Sequence, residues 1–144
     1  MDTSGEKIVI DINVFLAIIG KQSPFRWIFD KILSGDFILC LSNEIILEYE
    51  EVLSQKNGTE VAENIINFLS VHLFVLHKEP YFHFRLISDD PDDDKYVDCA
   101  VSAGAVCLVS NDGHFRILKQ VPFPRVVVLT LREFCERYGY PFPT

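Results

Sequence analysis

Ser88–Phe115 reads SDDPDDDKYVDCAVSAGAVCLVSNDGHF, and its reading decides the fold. Within Asp89–Asp98, six carboxylates (Asp89, Asp90, Asp92, Asp93, Asp94 and Asp98) accompany one cation, Lys95. A charge run alone is ordinarily a solvated face. Here it opens a helix. Asp90 is placed to cap that helix and Pro91 to occupy its first position, and the pattern continues to Ala103 and stops near Gly104. An apolar strand follows at Val106–Ser110 (VCLVS), with Asp112 just beyond its end.

The rest of the chain repeats this alternation. Lys7–Asp11 (KIVID) is a short buried strand that also ends in an acid. Asn13 and the apolar Val14–Ile19 follow, as far as Gly20. Ser23-Pro24 predicts the start of a helix running to about Leu33 and ended by Gly35. Phe37–Leu41 (FILCL) is a second strand. Ser42 or Asn43 caps a helix from Glu44 to about Leu53 that carries Glu48 among apolar residues. Lys56-Asn57-Gly58 turns into a helix from Thr59 to about Val71, with Val61, Ile65, Phe68 and Leu69 expected inward. Leu73–Leu76 is a third strand, and His77–Ile87 is irregular. After Asp112, a turn and short helix reach Leu118, Arg125–Leu129 (RVVVL) is a fifth strand, and Thr130 caps a last helix to Tyr138. Strands alternating with helices predict an α/β fold with a mostly parallel sheet. At 144 residues, one domain over 1–144 is expected.

Composition narrows the function. No apolar run reaches the ~20 residues that span a bilayer, and the N-terminus has no secretory pattern. Cys40, Cys99, Cys107 and Cys135 have no CxxC spacing, so buried free thiols in a cytoplasmic protein are expected rather than a zinc site. The net charge of −8 does not draw nucleic acid by its overall field. From Gly113 to Thr144 the balance reverses: Arg116, Lys119, Arg125, Arg132 and Arg137 outnumber Glu133 and Glu136.

Ligands of an open parallel sheet bind beyond the carboxyl ends of its strands, where strand order reverses. Asp11 and Asp112 stand at two such ends. If the first and fourth strands are neighbours, their backbones are about 4.8 Å apart there. On the acidic helix, positions 93, 97, 100 and 101 share one face. Val97, Ala100 and Val101 are apolar and carry Asp93 inward. Asp94 shares its face with Asp98 and is expected toward solvent, whereas Asp92 has Tyr96, Cys99 and Ala103 on its side. Converging carboxylates repel by about 4 kcal/mol per pair at ~4 Å and an effective dielectric near 20. A cation relieves that repulsion. An all-acidic set suits Mg²⁺ or Mn²⁺ rather than zinc, and such ions support phosphodiester hydrolysis.

Four segments, VIDINVFLA (Val9–Ala17), LSNEIILEYEEVL (Leu41–Leu53), DPDDDKYVDCAVSAGA (Asp90–Ala105) and LVSNDGHF (Leu108–Phe115), in this order and spacing, resemble the PIN domain family. That family supplies many metal-dependent RNases and the toxins of bacterial toxin–antitoxin pairs. The resemblance covers nearly the whole chain. It implies a three-layer α/β/α fold with strand order 3-2-1-4-5, and a catalytic, metal-binding quartet of Asp11, Glu48, Asp93 and Asp112. Asp93 is selected because the family's Asp precedes a small helix residue, here Ala100, by seven positions. Asn13 and Ser110 would support the quartet, Ser110 by bonding Asp11 or a metal water. Asp94 stands where the family often has Asn. The resemblance also implies an RNA substrate, an antitoxin partner and a homodimer. The alternative is a catalytically weak PIN-like protein- or RNA-binding module regulated by a partner.

Other readings fail on particular residues. An EF-hand loop begun at Asp90 would place Lys95 where Gly is needed and Val101 where Glu is needed. An aspartyl phosphatase needs a second Asp at position 13, which is Asn. A receiver module needs paired acids after the first strand and a Lys after the last, where Thr130 stands. No Gly-rich phosphate loop is present. His114 reads as an ordinary loop histidine, with a phosphate contact as the alternative, and His72, His77 and His83 show no ligand spacing.

Overall fold

Short apolar runs between amphipathic segments fold as strands covered by helices. The computed structural model describes residues 5–87, 91–122 and 124–143. In chain order the elements are β1 (Glu6–Ile10), α1 (Ile12–Ile19), α2 (Arg26–Ser34), β2 (Phe37–Leu41), α3 (Asn43–Asn57), α4 (Thr59–Val71), β3 (Val75–His77), α5 (Asp94–Ala103), β4 (Cys107–Val109), β5 (Val128–Leu129) and α6 (Leu131–Arg137). A 3-10 turn, Pro91–Asp93, leads into α5, and a 3-10 helix, Gly113–Gln120, joins β4 to β5. Among the described residues the strands form a five-stranded parallel sheet in the order β3-β2-β1-β4-β5, as expected.

β2 shows why both faces are covered. Phe37 packs against Trp27 of α2, Phe134 of α6 and Tyr138. Cys40, three residues on and so on the opposite face, lies near enough to Cys99 of α5 to raise its pKa. The result is a three-layer α/β/α arrangement. The sheet core is apolar, with Ile8, Val9, Leu39, Cys40, Leu41 and Leu108 fully buried. Its order reverses between β1 and β4, which pair with Ile10 opposite Val109. Asp11 and Ser110 therefore leave adjacent strands side by side. Tyr49 of α3, itself fully buried, donates its hydroxyl to the Ile10 carbonyl and stacks on Phe15 of α1 at 4.6 Å. That contact fixes α3, the helix of Glu48, against the end of β1.

Helix ends follow the sequence closely. Ser42 caps α3 through the Ile45 amide, and Thr130 and Glu133 form a reciprocal capping box on α6. Gly35 ends α2 at φ 88°, where a Cβ would stand 2.7 Å from the Phe74 ring. Other boundaries differ from expectation. α2 begins at Arg26 because Ser23 turns the chain, its hydroxyl bonding the Phe25 amide and the Ala17 carbonyl. α3 runs on to Asn57, since nothing breaks it before Gly58. β5 is confined to Val128–Leu129 because its partner β4 is only three residues long. In α4 the buried positions are Ala62 and Leu69, while Val61 is exposed. Asp90, the expected cap of α5, lies outside the described residues.

The largest correction concerns the Asp94–Asp98 face of α5. It is covered, not solvated. The irregular segment after β3 lies along it. Asp98, only 3% exposed, accepts from the Phe84 amide at 3.0 Å and sits 3.2 Å from His83 Nδ1. Asp94 accepts from the Ile87 amide at 2.8 Å. These carboxylates satisfy the amides of a segment that has no ladder of its own.

All four cysteines are buried and free, and burial pushes the Cys99 and Cys107 thiols up to about 12. No helix among the described residues is long and apolar enough to cross a membrane. Because Asp98 holds its segment through charge-assisted bonds, Asp98→Ala should lower unfolding free energy by about 1.5–3 kcal/mol. Urea unfolding checks the magnitude, and faster amide exchange at Phe84 checks the cause.

Candidate metal centre

The centre grows from the end of β1. Asp11 is the N-cap of α1, and its Oδ1 accepts from the Val14 amide at 2.9 Å. Its Oδ2 accepts from the Ser110 hydroxyl, beyond the end of β4. Ser110 Oγ in turn accepts from the Asp112 amide at 3.0 Å. One hydroxyl thus couples the carboxyl ends of two adjacent strands and sets the start of the loop carrying Asp112. Asp11 is 6% exposed and Ser110 2%. Burial raises the pKa of Asp11, the Ser110 and Val14 bonds pull it back down, and the charges of Asp112 and Glu48 push it up again. Asp11, Asp112 and Glu48 are therefore electrostatically coupled.

Asp93 arrives from the 3-10 turn before α5, and its carboxylate does not cap that helix. Asp112 caps the 3-10 helix after β4 by accepting from the His114 amide at 2.9 Å. His114 Nδ1 lies 3.3 Å from Asp112 Oδ1 and 3.5 Å from Asp93 Oδ2. One ligand atom each from Asp93, Asp112 and His114 lies within 4.8 Å of the other two. The structure thus draws Asp93 and Asp112 together and links Asp112 to Asp11 through Ser110.

Glu48 is held differently. It rides beside the buried Ile45–Tyr49–Leu53 stripe of α3. Tyr96 of α5 donates its hydroxyl to Glu48 Oε1 and accepts from the Ile12 amide at 3.1 Å. Burial and the Glu48 charge hold the Tyr96 hydroxyl far above its ordinary pKa, so it remains a donor. Lys95, only 10% exposed, places Nζ 3.5 Å from Glu48 Oε2 and donates to the Asp92 carbonyl at 2.5 Å. Glu48 is outside the group drawn together by Asp93, Asp112 and His114. Asn13 is exposed on the first turn of α1, and Asp92 is exposed where Asp93 is half-buried.

The sequence assigns Tyr96 and Lys95 no role at the centre and reads His114 as a loop residue. The Tyr96 and Lys95 contacts cross between α5 and α3, which no local pattern reveals. His114 had one usable signal: it lies two residues after an acid at a strand end, within reach of the same pocket.

The donors fit a hard or borderline divalent ion. Both oxygens of Asp11 accept one hydrogen bond and retain further lone pairs. The repulsion raising the pKa of Asp11 is of the kind that a cation reverses.

The sequence pattern of the PIN domain matches residues 7–114, and the chain belongs to the PIN domain family. Among solved structures, a chain of VapBC2 from Rickettsia felis bound to a DNA fragment from its promoter is similar at TM-score 0.60 and 13% identity, covering 86% of this chain and 98% of that one. A chain of DNA-bound VapBC from Salmonella typhimurium gives 0.56 and 19%, covering 87% and 98%. One from FitAB bound to an IR36 DNA fragment gives 0.52 and 16%, covering 85% and 94%. At these identities the likeness is one of fold. A search of curated protein sequences found no match.

The electrostatic coupling has a direct readout in the metal-free protein. Ser110→Ala should raise the pKa of Asp11, and Asp112→Asn should lower it, by carboxyl-detected NMR titration. The linkage to stability has a definite sign. An unfolded aspartate ionises at lower pH than Asp11, so between the two values the folded state holds more protons and stability falls as pH rises. Asp11→Asn should remove that component, as denaturant midpoints across the acid range would show.

Proposed function

We propose that this protein is a Mg²⁺- or Mn²⁺-dependent endoribonuclease of the PIN type. The observation that carries the reading is the meeting of acids from separate elements at the reversal point of the sheet. Asp11 and Asp112 are tied by Ser110, and Asp93 comes up to Asp112 from the 3-10 turn before α5. Asp11, Asp93 and Asp112 would hold the ion, and Glu48 would complete the acidic wall from α3. Bound there, a divalent ion offsets phosphodiester charge and makes water acidic enough to attack at neutral pH.

The chain's own groups prepare the site. Ser110 orients Asp11 and pulls its pKa down against the upward push of burial. Tyr96 and Lys95 fix the carboxylate of Glu48, and Lys95 compensates its charge. Asn13, exposed beside Asp11, would bond substrate or water. RNA approach is supported by the asymmetry of charge around Asp112. A cavity beside it is lined by Asn111, Arg116, Lys119, Thr130 and Glu133. Neither Arg116 nor Lys119 makes an ion pair among the described residues. The groove beside Glu48 is instead walled by Glu44, Glu51 and Asp92, which outnumber Lys95 there. A polyanion would therefore run from the centre across Arg116 and Lys119.

The biological setting we propose is the toxin of a toxin–antitoxin pair, acting in the cytoplasm as a homodimer on one 1–144 domain and restrained by an antitoxin. The solved relatives named as two-component complexes on DNA support that setting.

With a mixed RNA pool, cleavage should require Mg²⁺ or Mn²⁺ and vanish in folded Asp11→Asn. Metal-independent cutting, or cutting that survives the substitution, would contradict the reading. Arg116→Ala should weaken RNA binding and reduce the slope of log affinity against log salt by about 0.7, the value of one lost phosphate contact on a single strand.

A further inference from the structure

His114 is the group at this centre that the acidic reading leaves without a task. Its Nδ1 lies 3.3 Å from Asp112 Oδ1 and 3.5 Å from Asp93 Oδ2. Charge-assisted N–H···O bonds are shorter, about 2.7–2.9 Å, and one N–H cannot point along two such lines. The separations suit another relation. Donor atoms bound at about 2.1 Å to one cation stand about 3.0 Å apart at right angles and about 3.4 Å apart at the tetrahedral angle. Three donors from three places in the chain lie within 4.8 Å of one another: the turn before α5, the loop after β4, and the first turn of the 3-10 helix. The Asp112 bond to the His114 amide fixes the short loop between them. Glu48, the fourth acid, is meanwhile occupied by Tyr96 and Lys95.

We infer that His114 is a metal ligand through Nδ1, completing the set begun by Asp93 and Asp112, and that this nitrogen donor tilts the site toward a first-row transition ion such as Mn²⁺ over Mg²⁺. Imidazole suits the transition ions, whereas Mg²⁺ favours an all-oxygen octahedron. Ligation through Nδ1 requires the neutral ring with its proton on Nε2. His114 is nearly half exposed, so that second nitrogen can bond to water. The inference rests on the metal site proposed above and specifies its donor chemistry.

Pulsed electron paramagnetic resonance on the full chain loaded with Mn²⁺ tests it without reference to activity. The wild type should show coupling between manganese and a histidine nitrogen. Labelling histidine with the heavier nitrogen isotope should change that coupling, and His114→Ala should remove it. In calorimetry, His114→Ala should weaken Mn²⁺ more than Mg²⁺, so the ratio of the two affinities falls. His114 is on an exposed turn, and circular dichroism and the unfolding midpoint will show that the variant is folded. Manganese bound without nitrogen coupling would overturn the role of His114 and leave the carboxylate site intact. A coupling retained in His114→Ala would overturn it equally. No manganese binding at all would overturn both this inference and the metal-dependent reading beneath it.

Discussion

The hydrogen bond between Ser110 and Asp11 is the constraint on which the rest of the site depends. It joins the residues that leave β1 and β4, two strands remote in sequence and adjacent in the sheet. It keeps a carboxylate ionisable where burial opposes charge. Through the Asp112 amide it also sets the path of the loop that brings Asp112 and His114 round. A buried polar network of this kind is stable only when its members are satisfied. Here the Val14 amide and the Ser110 hydroxyl donate to Asp11, and the Asp112 amide donates to Ser110. The coulombic repulsion that Asp112 and Glu48 exert on Asp11 is negative charge of the kind a cation offsets.

A second network holds α3 and α5 to this point. Tyr49 reaches the carbonyl of Ile10, and Tyr96 bridges the Ile12 amide to Glu48. Two tyrosine hydroxyls thus grip the backbone on either side of Asp11. Both stay protonated, because burial and neighbouring negative charge hold them far above the ordinary tyrosine range. Asp11 and Glu48 are each placed by a hydroxyl donor, Ser110 and Tyr96, whose own position is fixed in the core.

Much of this was legible in the sequence. Period and punctuation gave the alternation of strands and helices and so a mostly parallel sheet, while the strand order came with the resemblance to the PIN family. Ser42, Thr130, Gly35 and Gly104 marked helix ends by local chemistry that tertiary context did not override. Asp93 read inward because Val97 and Ala100 share its face, and it does turn inward. The misreadings have a common cause. Asp98 reads as solvent-facing because no helical pattern announces that an irregular segment will cover it. Lys95 looked like a lone cation in an acidic run, yet its partner Glu48 is on another helix. His114 looked like a loop residue because its meaning depends on Asp93, brought to it only by the fold.

Crystals of the full chain soaked in Mn²⁺, with diffraction measured at the manganese absorption edge, address the central claim most directly. The account predicts an anomalous peak among Asp93, Asp112 and His114, close to Asp11, that disappears from Asp112→Asn crystals of the same form. Well-ordered carboxylates with no peak at saturating Mn²⁺, or a peak elsewhere on the surface alone, would contradict it.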